Sequence, residues 1–397
     1  MKTNRLLGSI FLIAGTSIGA GMLALPVATA NYGVFPAICL FVLCWLCMLA
    51  TGLLLLEVNL WLKPETNIVS MAQHTLGVGG KIVAWITYLL LFYAVMSAYV
   101  SGMGDLVSKS LAGWLHWHIS TVNGALALAI LVGAAVYTGA HIVDYTNRFF
   151  FIAKILTYLA VLALLTSHVN VMQLSFFSTD KMWLALPVAI VSFGYQNLVP
   201  SLRVYLNNDV KKIRRAILIG STVPLIVYIL WEIVIIGVLP LEGPHGLKAV
   251  LMGGQPATGL AQSLDFLLGK PWLSLLFKAF TFFAIATSFI GVSFSLFDFL
   301  IDSFQLKRNA KGKITSLVLT FLPPLLFAFF YPNGFVAALG YGGIFVAILF
   351  GILPVLMVWS GRYWKKIATG YRVDTHYFGL ILLLLFSVVI IVAQLMG

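Results

Sequence analysis

The chain has 397 residues, 61% of them hydrophobic and only 9% charged, with a formal net charge of +12. A mean hydropathy of +1.02 and so little charge exclude an ordinary soluble globule, which carries about 25% charged residues. They define an all-α polytopic membrane protein embedded in the lipid bilayer. In such a chain the basic excess belongs to loops that set topology, so it is not read as nucleic-acid binding.

A transmembrane helix needs about 20 largely apolar residues. On that ruler the sequence holds about eleven spans, near 6–30, 33–62, 81–109, 121–140, 147–167, 183–206, 213–240, 271–303, 314–331, 334–359 and 376–396. Several exceed the bilayer thickness, which implies tilt or extension beyond it. The first opens like a signal peptide, with Lys2, Arg5, an apolar stretch and Ala28-Thr29-Ala30 in place of a cleavage site. That stretch is too long and too glycine-interrupted for one, so it is taken as the first span.

Its middle reads I-A-G-T-S-I-G-A-G-M-L-A-L-P from Ile13 to Pro26, crowded with Gly15, Thr16, Ser17, Gly19 and Gly21. Each glycine costs a helix about 1 kcal/mol relative to alanine, so the helix is weakest where the membrane is driest. Broken backbone at that depth needs a ligand, an ion or other protein to satisfy its polar groups. Gly15 and Gly19 also form a G-x-x-x-G pair that suits close helix packing. Cys39, Cys44 and Cys47 of span two, without a nearby His or second cysteine pair, read as packing residues, and no metal site is expected.

Lys and Arg divide unevenly between alternate loops. One side carries eighteen, including Lys2, Arg5, Arg203, Arg214, Arg215, Lys307 and Arg362. The other carries only Lys109, Lys181, Lys248 and Lys270. The positive-inside rule then puts the N-terminus in the cytoplasm and, with an odd number of spans, the C-terminus on the outer side.

The pattern of span one recurs. Span six reads S-F-G-Y-Q-N-L-V-P-S-L from Ser192 to Leu202, again Gly-broken and followed by Pro. Four spans follow each break, and five is an odd number, so the second set enters the membrane inverted. The expected organisation is a first repeat over 1–170, an inverted second repeat over 180–360 and an additional helix over 361–397, all in one membrane domain. Paired broken segments of inverted halves point to a transport site. The connection from Leu241 to Gly269 is expected to pack over the outer mouth. No ring of charged residues suggests an ion channel, and no converged catalytic set suggests an enzyme or a cofactor.

The chain resembles the hydroxy/aromatic amino acid permeases, in particular the bacterial tyrosine-specific transport proteins, within the amino acid–polyamine–organocation superfamily. The resemblance rests on G-T-S-I-G-A-G-M-L-A-L-P at Gly15–Pro26, F-G-Y-Q-N-L-V-P-S-L at Phe193–Leu202 and A-T-S-F-I-G-V-S-F-S-L-F-D-F-L at Ala286–Leu300. F-L-P-P-L at Phe321–Leu325 and Y-P-N-G-F-V-A-A-L-G-Y at Tyr331–Tyr341 add to it. It implies a leucine-transporter-like 5+5 inverted repeat with helices 1 and 6 broken. It further implies import of tyrosine or a related aromatic amino acid across the bacterial cytoplasmic membrane, with a periplasmic C-terminus. The chain departs from this family at Gln196, where His is common.

An amino acid brings a carboxylate, an ammonium and a side chain. The backbone N–H groups of Gly19, Ala20 and Gly21, opening a half-helix, suit the carboxylate. The freed carbonyls around Ala14, Gly15, Phe193 and Gly194 suit the ammonium, with Thr16 and Ser17 beside them. Phe193, Tyr195, Gln196, Asn197 and Tyr99 are candidates for the aromatic slot. Ionisable residues inside spans are functional candidates by default. Glu57 and Lys278 stand near span ends, where snorkelling accounts for them. Glu232 lies deeper in span seven and is a candidate for ion coupling. Lys154 stands about two turns into span five, among Phe150, Phe151, Ile152, Ile155 and Leu156. In the resembled superfamily a cation site lies between spans one and eight, filled by sodium or replaced by a span-five lysine. Thr287 and Ser288 stand where span-eight hydroxyl ligands would be, so proton and sodium both remain open, with the proton favoured.

Overall fold

The computed structural model describes residues 5–19, 21–64, 66–115 and 119–397, which form helices and connections without a strand. In chain order the helices are α1 (Arg5–Ser17), α2 (Gly21–Thr29), α3 (Val34–Leu60), α4 (Ile68–Leu115), α5 (Thr121–Thr138) and α6 (Ala140–Thr166). A single turn, α7 (Val171–Leu174), precedes α8 (Leu186–Ser192), α9 (Val199–Tyr205) and α10 (Val210–Val238). Then come α11 (Leu247–Gly253), α12 (Pro256–Leu268), α13 (Pro271–Ser303), α14 (Ala310–Phe330), α15 (Phe335–Val346), α16 (Leu353–Trp359) and α17 (Tyr377–Met396). Ten segments are long and apolar enough to cross a membrane, eleven if α1 and α2, inclined at 52° to each other, form one span. Large apolar side chains such as Leu131, Phe149, Leu156 and Val389 lie exposed on the bundle's outside, the surface that lipid covers in a membrane protein.

Three features differ from or add to the sequence-based expectation. The third span is longer: α4 begins at Ile68 and contains a sharp break at Gly77, whose φ of 79° is left-handed. Glycine has no Cβ to oppose that conformation, so the short first segment turns into the long second one. The connection from Leu241 to Gly269 is largely helical: α11 packs on α2, and α12 on α2 and α4. Glu57 does not snorkel. It is fully buried, and Arg362 grips it through Nε to Oε1 at 2.8 Å and Nη2 to Oε2 at 2.6 Å. The same guanidinium donates to the carbonyls of Val373 and Thr375, and the Val373 amide donates to Glu57. This buried, fully hydrogen-bonded pair ties α3 to the connection that precedes α17.

The core around the site is built by α1 packed on α10, α8 on α15, α6 on α13 and α4 on α15. Close approaches set these pairings. A Cβ at Gly52 of α3 would meet the Tyr195 hydroxyl, and one at Gly343 of α15 would meet the backbone of Pro187 in α8. Beyond α15 the helix widens into π-helical turns at Ala347–Ile352 and again at Ser360–Trp364. Such turns are frequent at functional sites. Cys44 and Cys47 are buried in α3 and Cys39 is exposed, all as free thiols.

Candidate functional site

A cavity of about 110 Å³ lies between the ends of α1 and α8. Thr16, Ser17, Gly19 and Gly21 line it from the first chain break, and Ser192, Gly194 and Asn197 from the second. Phe92, Val95 and Tyr99 of α4, Val292 of α13, and Leu339 and Phe350 complete a largely apolar wall. Asn197 is shared with a wider vestibule of about 580 Å³. Tyr88, Pro200, Ser201, Tyr205 and Phe299 line that vestibule toward the loops rich in Lys and Arg.

Both breaks follow from local chemistry. The last helical hydrogen bond of α1 runs from Ile18 N to Ala14 O at 2.9 Å, and the next helix starts at Gly21, so the carbonyls of Ser17 and Ile18 lose their helical partners. Side chains from other helices replace them. The Tyr228 hydroxyl of α10 contacts the carbonyls of Ser17 and Ser192, at 2.5 and 2.9 Å. It has one hydrogen to give, so it serves one of the two at a time. Ile18 O accepts from Lys154 Nζ at 2.8 Å, and Thr287 Oγ1 lies 3.4 Å from the same nitrogen. At the second break, Phe193 and Gly194 fold back on Ile190 O and Val191 O before the chain resumes as a short 3₁₀ turn into α9.

The glycines of span one serve close approach. A Cβ at Gly19 would meet Ser288 Oγ, with the Tyr99 hydroxyl beyond it, and one at Gly21 would meet Ser192. Gly15 stands against the ring of Phe151 in α6, where a Cβ would come within 2.9 Å. The α2 N-terminus at Gly21 opens on the cavity. Ser17 Oγ, on the same wall, is buried without a hydrogen-bond partner among the described residues.

Not every candidate read from the sequence reaches this cavity. Thr16, Ser17, Gly19, Gly21, Tyr99, Gly194 and Asn197 do, and Ala20 lies outside the described residues. The Ala14 carbonyl is occupied by the Ile18 amide. Phe193 packs edge-on against Tyr228. Tyr195 and Gln196 turn toward α3, where both side chains donate to the Met48 carbonyl, at 3.2 and 3.0 Å. Lys154 is buried at the middle of the 27-residue α6, deeper than a span beginning near 147 suggests. Thr287 and Ser288 face the end of α1, and Glu232 lies apart, bonded to Thr29 of α2. Sequence reasoning missed Tyr228 and the apolar wall. A tyrosine or leucine inside a membrane span carries no spacing signal that separates lining from packing.

The chain matches the tryptophan/tyrosine permease family over residues 2–394. It is 33% identical to the tyrosine-specific transport system 2 of Haemophilus influenzae, across 98% of this chain and 96% of that one. It is 30% identical to the tryptophan-specific transport proteins of Haemophilus influenzae and Pseudomonas aeruginosa, in each case across 99% of this chain and at least 94% of the relative. Together with the ten to eleven apolar helices, these matches show that this multi-pass membrane protein belongs to the tryptophan/tyrosine permease family.

Proposed function

We propose that the protein imports tyrosine or a related aromatic amino acid across the bacterial inner membrane by proton symport and alternating access. The observation that carries this reading is the composition of the cavity. Its polar lining includes a helix N-terminus and, at a chain break, the Ser17 hydroxyl, unpartnered among the described residues; both suit a carboxylate. The apolar wall of Phe92, Val95, Val292, Leu339 and Phe350 suits a flat ring. Tyr99 and Asn197 are the polar side chains on that wall available to a ring substituent. The wide vestibule beyond Asn197, on the basic side, corresponds to an inward-facing state with the N-terminus in the cytoplasm and the C-terminus in the periplasm. In this reading α1/α2 and α8/α9 are the paired broken spans of two inverted repeats, 1–170 and 180–360, with 361–397 as an additional helix.

For coupling, the position of Lys154 favours the proton over sodium. Its ammonium lies between Ile18 O and Thr287 Oγ1, where a bound cation would otherwise bridge the end of α1 and α13. A charge moving on and off this nitrogen changes how strongly the two elements hold together, and this gives coupling a physical basis. The sodium-coupled alternative rests on the hydroxyls of Thr287 and Ser288.

The test is uptake of labelled Tyr, Trp and Phe into proteoliposomes under separately imposed proton and sodium gradients. Accumulation driven by the proton gradient alone is expected. Accumulation driven by sodium alone overturns the proton reading, and saturable transport of none of the three overturns the substrate class.

A further inference from the structure

Among the buried acids of the described residues, Glu232 stands apart. Glu57 and Asp105 each face a basic side chain. Glu232 is fully buried about 9 Å from the outer end of α10 and forms no ion pair among the described residues. The helices packed on α10 supply none; α13 also reaches it, with Phe277 and Phe280 on Trp231, and its Lys278 forms no ion pair with Glu232 among the described residues. α2 and α7 carry no titratable side chain, and Arg5 of α1 stands at the opposite end. Lys154 and Tyr158 of α6 are bonded to the carbonyls of Ile18 and Val227. The remaining ionisable groups of α6, His141, Asp144, Tyr145 and Arg148, lie in its first turns. On α3, Glu57 is held by Arg362, and the three cysteines are free thiols. Arg203 of α9 is spent on the end of α3, while Tyr205 lines the vestibule. The basic residues of α10 itself lie in its first turns, and Tyr228 faces the two breaks.

The hydrogen-bond geometry supplies the second observation. The Thr29 hydroxyl contacts two oxygens, the Leu25 carbonyl at 2.7 Å and Glu232 Oε1. It owns one hydrogen. The carbonyl has none to offer, so when Thr29 donates to Leu25 the hydrogen of the other contact comes from the carboxyl. Oε2 is buried without a donor among the described residues. An ionised carboxylate in this place would have neither a cation nor a full set of donors, and buried charges persist only when paired and hydrogen-bonded.

We infer that Glu232 is a proton-binding site, occupied in this conformation: a neutral carboxylic acid that donates to Thr29 and joins α10 to the outer half of span one. Loss of the proton leaves a bare carboxylate that α2 covers, so deprotonation favours a state in which α2 and α10 part and water reaches the acid. Proton occupancy and the packing of α2 are thereby linked. The protonated state is independent of the transport reading; its role in coupling rests on that reading.

Infrared difference spectroscopy of the purified full-length protein in lipid tests the first part. Wild type minus Glu232→Gln at neutral pH is expected to show the carbonyl stretch of a protonated carboxylic acid, shifted in heavy water. Glu232→Asp, which moves this band without abolishing it, provides the assignment if the Gln variant fails to fold. Absence of the band in both comparisons means an ionised acid accepting from Thr29 and overturns the proposal. For the coupling, proton-driven accumulation by Glu232→Gln is expected to fall about tenfold, and unchanged accumulation with the band present overturns that part. Sodium-driven uptake by the wild type would instead sink the symport reading while leaving the band in place.

Discussion

Lys154 and Ile18 are joined across the first chain break: the buried ammonium donates to the carbonyl that α1 leaves without a helical partner, at 2.8 Å. Helix α6 thus completes the hydrogen bonding of α1, and a titratable nitrogen sits at the seam between α1 and α13. Lys154→Gln keeps a neutral donor for Ile18 but has no titratable nitrogen. It is expected to retain substrate binding and to lose proton-driven accumulation by about tenfold or more. Lys154→Arg is expected to fail as well, because guanidinium stays charged across the working pH range. Binding, exchange and accumulation measured on the same purified variants separate coupling from structure: a Gln variant that accumulates normally ends the proposal.

The glycines at the break are expected to be sensitive in different ways. A methyl at Gly21 runs into Ser192, including its backbone, while one at Gly19 meets mainly the rotatable Ser288 hydroxyl. Gly21→Ala should therefore cost about 1–3 kcal/mol of stability through overpacking, and Gly19→Ala less. The valine variants at both positions should lose substrate binding. Thermal unfolding and equilibrium binding in detergent distinguish the two effects, and wild-type affinity in a folded Gly21→Val would move the site elsewhere.

Selectivity is expected to track Asn197 rather than Gln196. Asn197 lines the cavity, whereas Gln196 is committed to Met48 and to the Tyr195 amide. Asn197→Leu should shift the ratio of tyrosine to phenylalanine uptake by about tenfold, because a missing partner for a buried hydroxyl is penalised strongly. Gln196→Ala should leave the ratio in place and cost about 1–3 kcal/mol of stability, because the buried Tyr195 amide loses its acceptor. Competition uptake at matched expression gives the ratio, and a shift at Gln196 alone would reverse the assignment.

The Glu57–Arg362 pair gives a prediction about folding. Both side chains are buried and joined by two hydrogen bonds, with the Val373–Thr375 backbone completing their partners. Glu57→Gln should destabilise by about 3–5 kcal/mol, since it leaves a guanidinium buried without its counter-ion. Glu57→Met combined with Arg362→Leu should lose less than either single change. A double-mutant cycle on thermal unfolding measures the difference, and additive losses would show that the pair is not coupled.

Composition and pattern determined a large part of this protein. Apolar segments of bilayer length are required because water is absent from the membrane interior, so the helical spans are legible one at a time. The glycines at 15, 19 and 21 marked the end of α1 for a similarly local reason, the weak helix propensity of glycine. Where the side chains go depended on long-range contacts. Tyr228 reaches Ser17 across 211 positions, and Lys154 reaches Ile18 across 136. Gln196 and Asn197 are neighbours in sequence, yet one faces α3 and the other the cavity, because a 3₁₀ turn begins between the break and α9 and sets their directions. Glu57 and Glu232 are both acids in apolar runs, the first read from sequence as a snorkelling residue and the second as a coupling candidate. Among the described residues the fold brings Arg362 to the first and only a hydroxyl to the second, and in a low-dielectric interior the neighbour, not the residue type, decides whether an acid can hold a charge.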